Sequence, residues 1–375
     1  MTVLKGSPRT HGEASEFVGL IDTPYWARPS EQYPGMLPDR TDVLVIGGGI
    51  AGVCLVHHLE KRRISTVLVE RAYLAAGASG RNAGFLLAGV AHCYAEAVRV
   101  YGREKARELW GITSENHDRM LEAVDGSDVG HRRLGSATLA SDDAERARLE
   151  ESSQLMRDDG ITAHWDGERI YNPRDGEVNP AALVGALAGR AKDGTIREGV
   201  EVTAIKTGGV EVDVRAGEHS CRAGVVILAT NAYTPQLVPQ VKIQPTRAQM
   251  LASAPVLRSV CDLPTYSHAG YRYWRQLPTG EVLVGGWRDT SIATEVGYEE
   301  KPTDQIQEHL DRQLAAMTGG AEVTHRWAGI MGFTETGLPL VGPIDGMRNV
   351  YVCGGFNGHG LAFAFMSSKQ LVEML

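Results

Sequence analysis

No stretch of this 375-residue chain is apolar for long enough to cross a bilayer, which needs about 20 consecutive apolar residues. The opening residues, MTVLKGSPRTHGEASEFVGL, lack the basic start and apolar run of an export signal, so a cytoplasmic location is expected. Cysteine is sparse: Cys54, Cys93, Cys221, Cys261 and Cys353 are scattered, odd in number and never spaced C-x-x-C. That pattern reads as free thiols in a reducing compartment and argues against a disulfide framework or a metal site. Excess positive charge is missing too. The formal net charge is −8, which argues against a nucleic-acid partner or an anionic membrane surface. There is no Ser-His-Asp, Cys-His or metal-spaced cluster, no internal repeat and no low-complexity linker. Nothing marks an oligomeric state.

What remains has the composition of a globular protein, 43% hydrophobic and 22% charged, long enough for one large domain or two. Residues 1–40 carry Pro8, Pro24, Pro29, Pro34 and Pro38 and read as an irregular surface arm. The clearest unit follows, TDVLVIGGGIAGVCLVHHLEKRRISTVLVE. Val43 to Ile46 form a short buried-strand pattern, a glycine turn opens a helix, and Ser65 to Val69 form a second strand. Further along, 94–124 and the DDAERARLEESSQLMRDDG stretch read as helices, the latter capped by Asp142 or Asp143. NPAALVGALAGRAKDG reads as a small-residue helix closed by Gly194. Three short strands follow, in GVEVTAI, GVEVDVRAG and AGVVILAT, and DQIQEHLDRQLAAM is a further helix. RNVYVCGGFNGHGLAFAFMSSKQLVEML repeats the opening order of strand, glycine turn and helix.

Gly47-x-Gly49-x-x-Gly52 sits between that first strand and helix, with the acidic Glu70 at the end of the second strand. This is a dinucleotide-binding fingerprint. Gly47 allows the tight turn, Gly49 admits a pyrophosphate and Gly52 lets helix and strand pack closely. Ile50 and Ala51 begin the helix, whose N-terminus favours phosphate. Glu70, followed by Arg71, can accept both hydroxyls of an adenosine ribose and would repel a 2′-phosphate. FAD or NAD is implied, not NADP.

RAYLAAGASGRNAGFL, residues 71–86, separates the two. A flavin has a ribityl chain and a flat ring to be held beyond the pyrophosphate. Small residues such as Gly80, Ala83 and Gly84 allow close backbone approach, while Ser79, Arg81 and Asn82 offer donors to phosphate or flavin oxygens. A second glycine loop, Gly354 to Gly360, precedes the last helix, whose N-terminus suits the negative pyrimidine edge of a reduced flavin. His359 is its one titratable group, either a packed structural histidine or a catalytic base. In GYRYWRQL, alternation puts Tyr271, Tyr273 and Arg275 on one face and Arg272 and Trp274 on the other; the first set suits a substrate pocket, and an ordinary packed strand fits equally.

DVLVIGGGIAG, Glu70, GASGRNAGFL, VVILATNAYTP, WAGIMGFTETGLPLVG and GGFNGHGL together resemble the D-amino-acid oxidase superfamily of flavoproteins, the glycine and sarcosine oxidase group. The likeness runs from about residue 22 onward. GASGRNAG and ATNAYTP look closest to γ-glutamylputrescine oxidases and related amine oxidoreductases. The resemblance implies an α/β fold: a Rossmann-like FAD-binding domain with a three-stranded meander, over 41–90, 172–232 and 326–375, and a mixed α+β substrate domain over 91–171 and 233–325. It implies that Val202 meets the adenine through its backbone and that Ala229 and Thr230 close over the cofactor. Asn82 to Phe85 would lie along the flavin ring with Gly329 nearby, and Gly355 with Gly358 to Leu361 at its pyrimidine end.

The departures shape the functional expectation. An arginine holding the substrate carboxylate in the amino-acid oxidases, and the flavin-linked cysteine of monomeric sarcosine oxidase, both fall at Met331. Met331 can do neither, so non-covalent FAD is expected. The lysine associated with oxygen reactivity is replaced near Leu283. The expected reaction is oxidation of a primary or secondary amine, or an amino-acid derivative, by hydride transfer to flavin N5. Water then hydrolyses the imine, and oxygen or another acceptor reoxidises the flavin. Three alternatives stand beside it: a dehydrogenase serving a quinone or carrier protein, an NAD-dependent dehydrogenase, and a flavin-binding protein without turnover.

Overall fold

In the strand Arg40–Ile46, Val43 and Val45 pack to one side and Leu44 and Ile46 to the other, all buried. A strand apolar on both faces belongs in the middle of a covered parallel sheet. A computed structural model, which describes residues 20–26 and 32–375, places it there. Arg40–Ile46 pairs in parallel with Thr66–Val69 on one side and with His219–Leu228 on the other. His219–Leu228 also pairs in parallel with Val350–Gly354 and antiparallel with Val212–Ala216. Ala204–Lys206 adds the third strand of an antiparallel meander. Helices Ile50–Lys61 and Gly360–Glu373 cover one face, and the meander residues Val212, Val214 and Ala216 contribute to the apolar layer on the other.

A second, nine-stranded mixed sheet has at its centre Val323–Phe333, Gln244–Ser253, Val282–Gly286 and Arg272–Gln276, joined antiparallel. Leu251, Val282 and Val284 pack on the helix Asp304–Thr318 through Ile306, Leu310 and Leu314. The opposite face looks toward the glycine loops of the parallel sheet. The space between the sheets, at the carboxyl ends of Arg40–Ile46 and Thr66–Val69, is where an open α/β sheet binds its ligand.

Three sequence expectations are corrected. The arm is not wholly irregular: Leu20–Ile21 pairs in parallel with His325–Arg326, while Pro8 and Pro29 lie outside the described residues. The helix beginning at Pro180 ends at Ala188 rather than Gly194; Asn179 caps its start by accepting the Ala182 N–H at 3.0 Å. The helical run after Tyr94 is two helices, Tyr94–Tyr101 and Arg103–Ala123, broken at Gly102 with φ +84°.

Asn116, fully buried in the second of these helices, binds the last helix to it. Its amide nitrogen donates to the Leu361 carbonyl (2.8 Å), and its oxygen accepts the N–H groups of Phe365 (2.9 Å) and Met366 (3.1 Å). Asn116→Leu strips these partners and is expected to lower unfolding stability by about 1–3 kcal/mol, read by denaturant titration with an unchanged m-value.

Candidate functional site

A single cavity of about 1160 Å³ runs between the sheets. One end is the turn after the first strand. There the Gly47 N–H donates to the Val69 carbonyl (2.8 Å), and a Cβ on Gly52 would lie 1.9 Å from the Gly47 oxygen. Gly52 therefore permits the close helix–strand approach expected of it, from behind the cavity wall rather than within it. The helix Ile50–Lys61 has no side-chain cap and no acidic residue in its first turn. Ser79 Oγ accepts the Ile50 N–H (2.9 Å), and the N–H groups of Ala51 and Gly52 have no acceptor among the described residues. Glu70 accepts from Gly48 (2.7 Å) and Ala72 (2.9 Å) and still faces the cavity with Arg71, Val202, Ala229 and Thr230. A carboxylate has roughly four acceptor sites, so capacity for ribose hydroxyls remains.

Arg81 and Asn82, expected as donors to phosphate or flavin oxygens, both line the cavity, and their side chains also bond the protein's own backbone. Arg81 donates to the carbonyls of Ala76 and Ala328 (both 2.8 Å) and pairs with Glu300 at 3.3 Å. The Asn82 side chain donates to Ala78 and Ser79 (3.0 and 2.9 Å) and accepts from Gly84 (2.7 Å). Their carbonyls are held from outside: Trp327 Nε1 donates to Arg81 O (2.9 Å) and Trp26 Nε1 to Asn82 O (2.8 Å). The N–H groups of Asn82 and Ala83 have no acceptor among the described residues, and both residues line the cavity with Phe85 and Gly329. Gly80 and Gly84, expected to touch the cofactor, do not line it. A Cβ on Gly84, at φ +74°, would fall 2.1 Å from the Val178 oxygen, and one on Gly80 2.3 Å from that of Ala75.

The second glycine loop closes the far end. Asn231 Oδ1 accepts the Gly355 N–H (2.8 Å), which holds Gly355 behind the wall and corrects its expected contact. Gly358, His359, Gly360 and Leu361 do line the cavity at the uncapped start of the last helix, and Met331 Sδ lies against Gly358. The N–H groups of Gly358, Gly360 and Leu361 have no acceptor among the described residues. His359 Nδ1 lies 3.0 Å from the Asn357 carbonyl, which can only accept, so Nδ1 carries the hydrogen and Nε2 the lone pair. Burial, the largest influence, holds this imidazole below its ordinary value.

Between these loops the nine-stranded sheet supplies an aromatic pocket. Tyr271 and Tyr273 line it as alternation requires, and Trp274 faces the Asp304–Thr318 helix. Tyr273 fills the space that a Cβ on Gly285 would take. Tyr266, its register partner on the next strand, packs edge-on at 5.8 Å, with Phe85 5.3 Å from Tyr266. Burial raises the Tyr273 hydroxyl to about 12 and pushes Tyr266 higher still. Arg275 departs from expectation. It does not line the cavity but donates from Nη1 to the carbonyls of Ala83, Gly84 and Val178 (2.9, 3.0 and 3.1 Å) and pairs with buried Glu177 at 3.3 Å. It holds the flavin-loop backbone, and burial lowers it to about 10. Leu283 is fully buried and also away from the cavity.

Sequence reasoning missed Trp26, Tyr266, Trp327, Arg288 and Asp175. The first three are lone aromatics whose partners lie far off in the chain. Asp175 was hidden in a turn: its oxygens accept from Ser136 Oγ (2.6 Å) and Ala88 N (3.0 Å), and it borders the cavity while only 3% exposed. Burial pushes its carboxyl up to about 7 against those two hydrogen bonds. None of the five cysteines is bonded, no metal-ligating cluster occurs, and no helix is long and apolar enough to cross a membrane, all among the described residues.

FAD fits this cavity: an open helix N-terminus and close-packed glycine turn at one end, a ribose-ready carboxylate, and two stretches of unused backbone N–H further along. The family model described as FAD dependent oxidoreductase (DAO) matches residues 42–374, and the chain belongs to that family. It is 26% identical to a probable oxidoreductase OrdL of Rhizobium meliloti and 25% identical to γ-glutamylputrescine oxidoreductase of Escherichia coli. Each match covers 89% of this chain and 83% of the relative. Glycine oxidase from Geobacillus kaustophilus shares the fold, with TM-score 0.73 and 21% identity over 90% of this chain and 95% of that one.

Asp175 gives this site a pH signature. A carboxyl raised in the folded state favours folding most fully below its ordinary value of 3.8, and loses that contribution as pH rises to about 7. Asp175→Asn cannot ionise. Its stability relative to the parent is expected to climb between pH 4 and 7, by on the order of 3 kcal/mol, and to stay level above. A difference in Tm that does not vary with pH would contradict this.

Proposed function

We propose that this member of the FAD dependent oxidoreductase family oxidises a primary or secondary amine, or an amino-acid derivative, at the carbon bearing the nitrogen, using non-covalent FAD. The observation that carries the reading is the one continuous cavity joining the phosphate-binding turn to a pocket walled by Phe85, Tyr266, Tyr273 and Met331. When bound, FAD supplies the two-electron acceptor for hydride from that carbon. The names of two relatives, γ-glutamylputrescine oxidoreductase and 4-methylaminobutanoate oxidase, support an amine substrate.

The protein's part is binding, orientation and proton control. Hydride can leave only a neutral amine, because an ammonium has no lone pair to stabilise the product. Aromatic walls disfavour the charged form by withholding water. His359, held neutral with its Nε2 lone pair unused by Asn357, is the group to take the ammonium proton. Tyr266 and Tyr273 stay protonated at neutral pH and present hydroxyls without adding charge. Water then hydrolyses the imine. Met331 offers neither thiolate nor guanidinium, which supports an unlinked flavin. A second reading, with a quinone or carrier protein in place of oxygen, is supported by Leu283 being buried and by the absence of lysine among the described cavity-lining residues.

The purified protein is expected to show a visible flavin spectrum, with free FAD released on acid denaturation. Under anaerobic conditions at least one member of an amine and amino-acid panel should bleach it. Recovery on admitting air marks an oxidase, and slow recovery hastened by an added quinone marks the dehydrogenase. A colourless protein that stays colourless after added FAD would overturn the reading.

A further inference from the structure

Building on the amine-oxidising reading, we propose that Asp175 anchors a second, protonated nitrogen of the substrate, so that the preferred amines are diamines with one nitrogen at each end of a short alkyl chain. The cavity does not stop at the aromatic pocket. One row of register partners crosses the nine-stranded sheet from Tyr273 to Tyr266, Thr138 and Ile170, and all four line the cavity. Neighbouring strands lie about 4.8 Å apart, so the floor continues two strands beyond the tyrosines. The helix Asp143–Asp158 packs on the last of these strands and brings Leu149 and Met156 to the same lobe. Those apolar side chains and Ile170 suit a run of methylenes.

Asp175 stands at the edge of this lobe. Its carboxyl is held by Ser136 Oγ (2.6 Å), two residues along the strand from Thr138, and by the Ala88 N–H (3.0 Å), three residues past Phe85. Three residues of chain reach at most about 10 Å, so the carboxyl lies within a short alkyl chain of the aromatic pocket. Two hydrogen bonds leave about half of its roughly four acceptor sites free. It has no ion pair among the described residues. Arg133 and Arg174, whose charges act on it without contact, are each held by Asp118, at 2.6 and 2.8 Å. The other buried carboxylate of the cavity wall between these strands and helices, Glu145, is already committed: it accepts the N–H groups of Ala269 (2.7 Å) and Ser141 (2.8 Å) and the Ser141 hydroxyl. Glu96 and Arg148 also line the cavity but keep contact with solvent. Asp175 is therefore a buried acid without a counterion, and burial accordingly pushes it up to about 7. An ammonium within hydrogen-bond reach supplies the counterion and keeps the carboxylate ionised. A hydroxyl tail brings no charge, and a carboxylate tail meets one of the same sign.

The test mixes the FAD-loaded protein anaerobically with α,ω-diamines from butanediamine to octanediamine, and with n-alkylamines, ω-amino alcohols and ω-amino acids of matching length. Binding is read from the shift of the flavin spectrum and oxidation from its bleaching. At least one diamine is expected to bind about 10-fold or more tighter than its matching alkylamine and amino alcohol. Asp175→Asn should bring that ratio close to one. Asp175→Glu keeps the charge on a side chain one methylene longer, so it should keep the preference and move the optimum to a shorter diamine. Three results overturn the proposal: no diamine preference in the parent, a ratio unchanged in Asp175→Asn, or ω-amino acids binding tighter than every diamine. If Asp175→Asn does not hold FAD, Asp175→Glu decides, and an optimum that does not move overturns the proposal. Alkylamines that bind and bleach the flavin as well as diamines do overturn the role of Asp175 while leaving amine oxidation intact. Diamines that bind with the expected preference while no amine bleaches the flavin sink the broader reading and leave the second-nitrogen site standing.

Discussion

Four consecutive carbonyls, Arg81 to Gly84, are each gripped by a side chain from elsewhere in the chain. Trp327 holds the first, Trp26 the second, and one nitrogen of Arg275 the third and fourth. A loop of small residues has little core of its own, and its open conformations would otherwise win on entropy. Fixing the carbonyls toward indole and guanidinium donors leaves the N–H groups of Asn82 and Ala83 at the cavity with no acceptor among the described residues. The cost of an unused N–H is offset when a ligand acceptor arrives, so the clamp determines both the shape of the site and the chemistry it accepts. Arg275 can serve this way because Glu177, itself buried, also pairs with Arg132 and compensates its charge.

The rest of the cavity follows the same logic. Two helices, Ile50–Lys61 and Gly360–Glu373, begin at it without caps or acidic first turns, so each presents positive potential where anionic parts of a dinucleotide would lie. Glycine appears where backbone crowds backbone, as at Gly52 and Gly84. The aromatic pocket sits where the nine-stranded sheet faces these loops, and burial keeps Tyr266 and Tyr273 neutral. Asp175, near its titration point, and Arg288 are among the charged side chains that line the same cavity.

Much of this was legible in the sequence. The first βαβ unit, its glycines and Glu70 carry a pattern set by local geometry, and the alternation in GYRYWRQL correctly put Tyr271 and Tyr273 at the cavity. Arg275 looks like a pocket residue by alternation, yet it sits outside the cavity, and the side chains of Arg81 and Asn82, which line it, bond backbone carbonyls; backbone acceptors leave no trace in a sequence. Trp26 and Trp327 reach the loop across 56 and 246 positions, beyond any periodicity. Arg288, which lines the cavity, was passed over because it follows Trp287, whose left-handed backbone (φ +62°) local propensity does not predict. The arm's short strand pairs with a segment some 300 residues later, which no local signal announces.

The central claim is that the protein itself, before any ligand, builds the loop of residues 77–86. Hydrogen–deuterium exchange on flavin-free protein tests it most directly. The clamp predicts that the Gly84 amide, bonded to Asn82 Oδ1, and the Gly80 and Arg81 amides, bonded within the turn, are already slow to exchange. Added FAD would then mainly slow Asn82 and Ala83. Exchange of the whole loop at unfolded-chain rates, with protection appearing only when FAD is added, would contradict it and mean that the ligand orders the site.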